Sequence, residues 1–300
     1  MAGGLSWGLG TAPSLLEKAV DDVIQAEQLG FDTAYIGESN LGADAYITAA
    51  AALRATTTIA VTPGIVGVHD RHPAVVARTM RTLHEVAPGR TGITFGRRDC
   101  EQIDQLGLQH SPAIPALRDT INICRELWRG QSLVYSGEHW SAGIDASHLP
   151  PIAIRVGLAA VGPVTLRLAG AIADVVVLNY GASHRAIAES VATVRAAAAA
   201  AGRDPAAIAI HAYVLVARTD VHDGAAQMAT TRRIVKSVLE GPEGQFFAVN
   251  GKTDVDDPAV LPLHAAIGDR SECLAWIEAV RTAGVDCPVL IPAGMRSLFA

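Results

Sequence analysis

The sequence predicts an α/β fold, a (β/α)8 TIM barrel with loop insertions, from three observations. First, strand-like and helix-like segments alternate along the 300-residue chain, the pattern of a parallel sheet wrapped in helices. Second, residues 57–96 spell out one whole unit. An apolar β-branched run, Thr57 to Val61, is followed by a loop with His69, Asp70, Arg71 and His72; Pro73 opens a helix that Pro88-Gly89 ends, and Thr91 to Phe95 is apolar again. Parallel strands need such a crossover, and proline costs nothing at the first helical position because its missing N–H has no partner there. Third, glycine, proline and ionisable residues gather just after the strand-like runs, at the end where parallel α/β proteins place their chemistry.

The elements follow in order. Leu5 to Leu9 reads as a short first strand. Leu15 to Leu29 carries Leu16, Ala19, Val20, Val23 and Ile24 at the helical period, with Gly30 as its stop. Phe31 to Ile36 is strand two and Ala45 to Leu53 a helix. Strands three and four belong to the unit above, and Leu117 to Trp128 is a helix closed by Gly130. Residues 131–150 break the rhythm, and Val134 to Trp140 reads as an inserted hairpin. Ile152 to Leu158, Asp174 to Leu178, Ile208 to Ala217 and Pro288 to Ile291 are the remaining strands. Helices are expected over Val164 to Ile172, Ile187 to Ala201, Ala225 to Leu239 and Cys273 to Thr282. The alanine run 196–201 suits a closely packed helix. A single domain over residues 1–300 is expected, since barrels of ~250 residues fold as one.

Hydrophobic residues make up 50% of the chain and charged residues 18%, which suits strands covered on both faces. A net charge of −6 offers nothing to nucleic acid. Cys100, Cys124, Cys273 and Cys287 form no Cys-x-x-Cys pair and read as buried thiols of a reducing compartment. Met1 to Gly10 lacks the pattern of a signal peptide, and no run reaches the ~18 apolar residues of a membrane span. The expectation is a soluble cytoplasmic protein with a small-molecule substrate and neither nucleic-acid nor membrane partners.

Several motifs fall short. Gly8-Leu9-Gly10 lacks the third glycine of a dinucleotide fingerprint, there is no Walker loop, and Gly37-Glu38-Ser39-Asn40-Leu41 lacks the final glycine of a nucleophile elbow. Glu38, just after strand two, suits a base or a hydrogen-bond acceptor; a solvated or capping carboxylate is the plainer alternative. His69 and His72 flank Asp70 at a spacing conceivable for a metal, but His72 precedes Pro73 and is better placed for helix entry. His69 lies further into the loop and either faces the barrel mouth or packs. Gly162-Pro163 is an anion site at a helix start or an ordinary turn. Arg97 and Arg98 suit a phosphate or simply a solvated loop. Glu38 with Asp99 or Glu101 would form the carboxylate pair of a barrel hydrolase, yet aromatic residues, at 5%, are sparse for a sugar site.

Taken together, the segments resemble the bacterial luciferase-like monooxygenase superfamily, and within it the coenzyme F420-dependent oxidoreductase branch. The carriers are Gln28-Leu29-Gly30-Phe31-Asp32-Thr33-Ala34-Tyr35-Ile36-Gly37-Glu38, Arg71-His72-Pro73-Ala74-Val75-Val76-Ala77 and Pro88-Gly89-Arg90. Glu126-Leu127-Trp128-Arg129-Gly130, Gly162-Pro163, Leu168-Ala169-Gly170-Ala171-Ile172-Ala173-Asp174 and Ala201-Gly202-Arg203-Asp204-Pro205 continue the series. The resemblance implies a luciferase-like (β/α)8 barrel that holds F420, with FMN as the alternative, in its mouth. It implies an F420-dependent hydride-transfer enzyme or an FMN-dependent monooxygenase; a non-catalytic flavin-binding member is the alternative of another class. It places a non-prolyl cis peptide at Gly64-Ile65 and a cofactor phosphate near Gly162-Pro163. The expected cofactor-binding residues are Gly64, Ile65, Val66, Gly96, Arg97, Gly162, Pro163 and Asn179. The expected catalytic residues are Glu38 and His69, with no metal, and a homodimer is expected. Two positions depart from the family pattern: Glu38-Ser39 stands where Asp-His is usual, and Gly96-Arg97-Arg98 replaces a glycine-rich strand end.

Overall fold

A computed structural model describes residues 6–11, 15–40, 42–98, 100–248 and 253–292. The elements begin with β1 (Gly8–Thr11), α1 (Leu16–Gln28), β2 (Thr33–Ile36), α2 (Ala45–Ala55), β3 (Ala60–Pro63) and β4 (Val66–Gly67). They continue with α3 (Pro73–Val86), β5 (Gly92–Gly96), α4 (Cys100–Gln105), α5 (Ala113–Trp128), β6 (Leu133–Ser136), β7 (Ser141–Ile144) and β8 (Arg155–Ala160). Then come α6 (Pro163–Ile172), β9 (Val175–Leu178), α7 (His184–Ala200), β10 (Ala209–Arg218), α8 (Gly224–Glu240) and α9 (Gly244–Phe247). The last are β11 (Ala266–Gly268), α10 (Arg270–Thr282) and β12 (Cys287–Pro292). The chain divides into two compact units, residues 11–159 and residues 1–10 with 160–300.

In the unit 11–159 every pairing of the main strands is parallel. β2 pairs β3 from Thr33↔Ala60 to Ile36↔Pro63, and β3 meets β5 through a Val61↔Thr91 bridge. β5 pairs β4 at Val66↔Phe95 and β8 from Gly92↔Arg155 to Phe95↔Leu158. Ile36, Ile93, Phe95 and Leu158 are fully buried together with Leu53, Met80, Leu117 and Ile121 from the helices. These strands read as near-continuous apolar runs because helices cover them. β6 and β7 form a separate antiparallel hairpin, as the break in rhythm predicts.

In the second unit β10 is central. It pairs β9, β12 and β11 in parallel, and β12 pairs β1 at Gly8↔Val289.

Several elements differ from the sequence expectation. β4 and β11 are unforeseen strands, too short to show a period. α4 is an unforeseen single turn and a half. β1 is placed at Gly8–Thr11 rather than 5–9, and Leu5 lies outside the described residues. α5 starts at Ala113, four residues before the expected Leu117, because Pro115 falls in its first turn, where proline is tolerated. α7 and α10 also start early. Ser183 Oγ accepts from Ala186 N at one start, and Asp269 with Glu272 forms a capping box at the other.

Two arginines of the family-like strings tie corners. Arg90 donates to the carbonyls of Leu53, Thr56 and Ile59 and to Thr56 Oγ1, which satisfies the α2 terminus. Arg203 donates to the Gly170 and Ala173 carbonyls, both at 2.7 Å, at the end of α6. Gly30, at φ +80°, takes the left-handed conformation that ends α1. Among the described residues no helix is long and apolar enough to cross a membrane.

Candidate functional site

The carboxyl ends of β2, β4 and β5 bring Glu38, Asp70, Arg71 and Arg98 into one cluster within the unit 11–159. Glu38 follows β2 by two residues and its side chain is 9% exposed. Arg71 Nη2 reaches its Oε1 at 3.5 Å, and Arg98 Nη2 reaches its Oε2 at 3.3 Å. Arg98 also donates from Nε to Asp70 at 2.5 Å and from Nη1 to Asn40 Oδ1 at 3.0 Å. Arg71 is bonded to Asp44 and lies 4.4 Å over the Tyr46 ring. Asp44 in turn caps α2, accepting from Tyr46 N and Ile47 N at 2.9 and 3.0 Å. Helix start and rim charge are thus held by one carboxylate.

Burial pushes the Glu38 carboxyl above its usual range, and it outweighs the pull of Arg71 and Arg98 in the other direction. Asp44 moves the opposite way: burial is overcome by the bonds from Ile47, Arg71 and Tyr46.

The next loop carries the histidines. His72 is the helix-entry residue that the sequence suggests: its Nδ1 accepts from Ala74 N at 3.2 Å, so the proton sits on Nε2, which donates to Ser141 O at 3.0 Å. His69 is half-buried and lies edge-to-face with His139, ring centroids 5.3 Å apart. Burial lowers its pKa, and His139 adds to the effect. His139 and Trp140 come from the β6–β7 turn. Asp119 of α5, 3% exposed, anchors that turn by accepting from His139 N, Trp140 N and Tyr135 Oη at 2.7, 3.0 and 2.8 Å. Trp140 Nε1 donates to Val68 O at 3.2 Å.

Beneath these loops Gly64–Ile65 is a cis peptide, at the position the resemblance implies. Ile65 is partly exposed and lies against Gly96, where a Cβ would collide with Ile65 Cγ2. Val66 is fully buried in register with Phe95.

Of the two adjacent arginines the sequence singles out Arg97 for the cofactor, and the structure brings the other one to the cluster. Arg97 is exposed, while Arg98, 9% exposed, is the one that turns into the cluster. Glu101 is exposed and accepts from Gln105, and Asp99 lies outside the described residues. Among the described residues no group of three or more potential ligands could hold a metal. Asp44, Asp119 and His139 were missed as site residues. The string Ser136 to Trp140, a polar turn ending in an aromatic pair, is a signal for His139 alone; nothing local marks Asp44 or Asp119.

Residues 5–287 match the family model of luciferase-like monooxygenases. The chain belongs to this family. The 5,10-methylenetetrahydromethanopterin reductase of Methanolobus tindarius is 28% identical to this luciferase-like protein over 189 residues, 63% of this chain and 57% of that one. The chain spans about half the length of the curated relatives it matches. Among solved structures, an F420-dependent secondary alcohol dehydrogenase in complex with an F420-acetone adduct has a TM-score of 0.80 at 20% identity, covering 96% of this chain and 94% of that one. A monooxygenase from Streptomyces bottropensis has a TM-score of 0.78, also at 20% identity, covering 98% and 97%. These likenesses show the fold: the (β/α)8 barrel expected from the alternation of elements, in the luciferase-like form that the resemblance implies.

The second unit of this family member holds the other expected residues. Gly162 precedes α6 and Pro163 opens it, with no side-chain cap on the helix amides. A Cβ on Gly162 would lie 3.1 Å from the Phe246 ring. Asn179, just past β9, donates to Glu243 at 2.8 Å and accepts from Tyr180 N.

Proposed function

We propose that this protein is an oxidoreductase that moves a hydride between coenzyme F420 and a small organic substrate. The observation that carries this reading is the Glu38 cluster: a mostly buried carboxyl, raised in pKa, fixed between two arginines at the carboxyl ends of three parallel strands. Family membership and the F420-dependent relatives support the cofactor.

The residues present fit a flat ring. Ile65 offers a partly exposed apolar surface, and the missing side chain at Gly96 leaves it room. Ile65, Gly64 and Gly96 would support the ring. Taken by itself, the start of α6 around Gly162 and Pro163 suits a phosphate, because a helix N-terminus presents free N–H groups and the positive end of its dipole. F420, when bound, supplies a carbon that accepts or donates hydride.

The chain's own residues provide the rest. Arg71 and Arg98 fix the orientation of Glu38, and burial shifts its carboxyl toward the protonated form, so that an Oε atom is placed to exchange a proton. His69, neutral because of burial, can donate from one ring nitrogen and accept at the other.

Paired fluorescence titrations with F420 and with FMN test the reading. Tighter binding of F420 is expected, with Gly162→Leu weakening it and Glu38→Gln sparing binding but slowing turnover. Tighter binding of FMN would turn the reading toward a monooxygenase, and binding of neither toward a non-catalytic member.

A further inference from the structure

A cleft of about 320 Å³ lies between α3, the end of α5 and residues 144–149, within the unit 11–159. Its volume is at the lower end of the range that small-molecule sites occupy. Residues 144–149 lead away from the β6–β7 hairpin, and Ala74, Ala77 and Ala146 carry side chains too small to fill the space. Trp128, 3% exposed, lines the cleft and donates from Nε1 to Ala77 O at 3.0 Å, which fixes α5 against α3. Val75 and Ile144, 40% and 37% exposed, leave an apolar lip uncovered.

The sequence of α3 places charge beside this apolar surface. Ala74, Ala77, Arg78 and Arg81 follow the helical spacing, so they share one face, and all four line the cleft. Arg78 and Arg81 are then neighbouring cations, an arrangement that is unfavourable until an anion joins it. Among the described residues no carboxylate meets either one. Arg81 donates to two main-chain carbonyls, Pro150 O at 2.8 Å and Leu127 O at 3.4 Å, which hold it in place without cancelling its charge. The Arg78 guanidinium has no bonded partner among the described residues. Asp145, the acid of the lining, is turned to Ser132 and Ser147 and accepts from both hydroxyls at 2.6 Å.

We propose that this cleft binds an amphipathic monocarboxylate, with its carboxylate on Arg78 and Arg81 and its hydrocarbon body against Leu127, Trp128 and Ile144. The guanidinium fork matches a carboxylate, and the tail leaves water for an apolar wall. One negative charge suits the site better than two, because Asp145 stands in the same lining. None of the lining residues belongs to the Glu38 cluster, so the site goes beyond the proposed reaction and does not rest on it.

The test titrates decanoate into the full chain and follows the methyl NMR signals of Leu127, Ile144 and Ile65, assigned with single variants. Decanoate is expected to shift Leu127 and Ile144 saturably and to leave Ile65, beside Gly96, in place. Decanol, which keeps the tail without the charge, should bind about tenfold more weakly, the worth of one charge-assisted contact. Butyrate, which keeps the head without the tail, should not saturate. Arg78→Gln removes the unpaired cation from an exposed position and should weaken decanoate about tenfold while sparing decanol. Val75→Glu falls in the first turn of α3, where an acid favours the helix, so the fold is kept; the charge at the lip should weaken decanoate as well. Decanol binding as tightly as decanoate overturns the proposal. So does a decanoate affinity that neither variant moves, a shift at Ile65 in place of Ile144, or no saturable shift at all.

Discussion

Replacing Arg98 by methionine probes the charge cluster most directly. The Arg98 side chain is 7% exposed, and its guanidinium faces Glu38 at 3.3 Å with that carboxylate 9% exposed. At an effective dielectric of ~20 the gross attraction at this distance is about 5 kcal/mol, most of which offsets desolvation. Methionine keeps the volume but leaves Glu38 and Asp70 as neighbouring carboxylates with Arg71 as the remaining close cation. Breaking a buried pair from one side costs ~3–5 kcal/mol, and the presence of Arg71 points to the lower end, about 3 kcal/mol. The loss should depend on pH. Burial already raises the Glu38 pKa above 4.5, and removing a cation raises it further. Below about 4.5 the group is protonated both folded and unfolded, so Glu38 imposes no charge penalty. As pH rises through the folded-state pKa the stranded charge appears and the variant loses stability relative to the parent. Urea denaturation at pH 7.5 and pH 5, followed by tryptophan fluorescence, measures this. The double variant Arg98→Met/Glu38→Gln should recover ~1–2 kcal/mol at pH 7.5. A loss under about 1 kcal/mol at pH 7.5, or one equal at both pH values with no recovery in the double variant, would refute the reasoning.

Three further outcomes are expected. Glu27 Oε1 accepts from Thr57 N, Thr58 N and Ile59 N; burial nudges its pKa up, but these bonds bring it down to about 2. Because the pKa is depressed, its stabilisation holds above pH 4.5 and fades as pH falls toward 2. Glu27→Gln should therefore cost about 1 kcal/mol at pH 7, allowing for solvent screening, and almost nothing at pH 2, by thermal melts at both values. Asp119→Asn removes the charge from three hydrogen bonds to the hairpin. A loss of ~2 kcal/mol is expected, with faster hydrogen exchange confined to residues 133–144; unchanged exchange there would show the hairpin to be held by packing instead. Gly96→Ala puts a Cβ onto Ile65 Cγ2, whereas nothing lies within 4 Å of a Cβ at Gly143. F420 binding should weaken tenfold or more in Gly96→Ala and stay unchanged in Gly143→Ala, by fluorescence titration.

The sequence by itself determined the alternation of strands and helices and many helix boundaries. The reason is that these signals are local. The apolar period of α1, Pro73 at the start of α3 and the left-handed Gly30 each act within one or two turns of chain. It also picked out Glu38 and His69, because residues just past strands share an end of a parallel sheet. Tertiary structure alone decided which of these charges meet. Glu38 lies 33 residues from Arg71 and 60 from Arg98, and Asp70 lies 28 from Arg98. No period spans such intervals. Strand register brings the three loops together, as in Val66↔Phe95 and Ile36↔Pro63, and it turns Arg98 inward while adjacent Arg97 faces solvent. The same holds for the hairpin. Its strands are legible in sequence, but its place over His69 depends on Asp119, a single carboxylate on a helix whose period marks it only as buried.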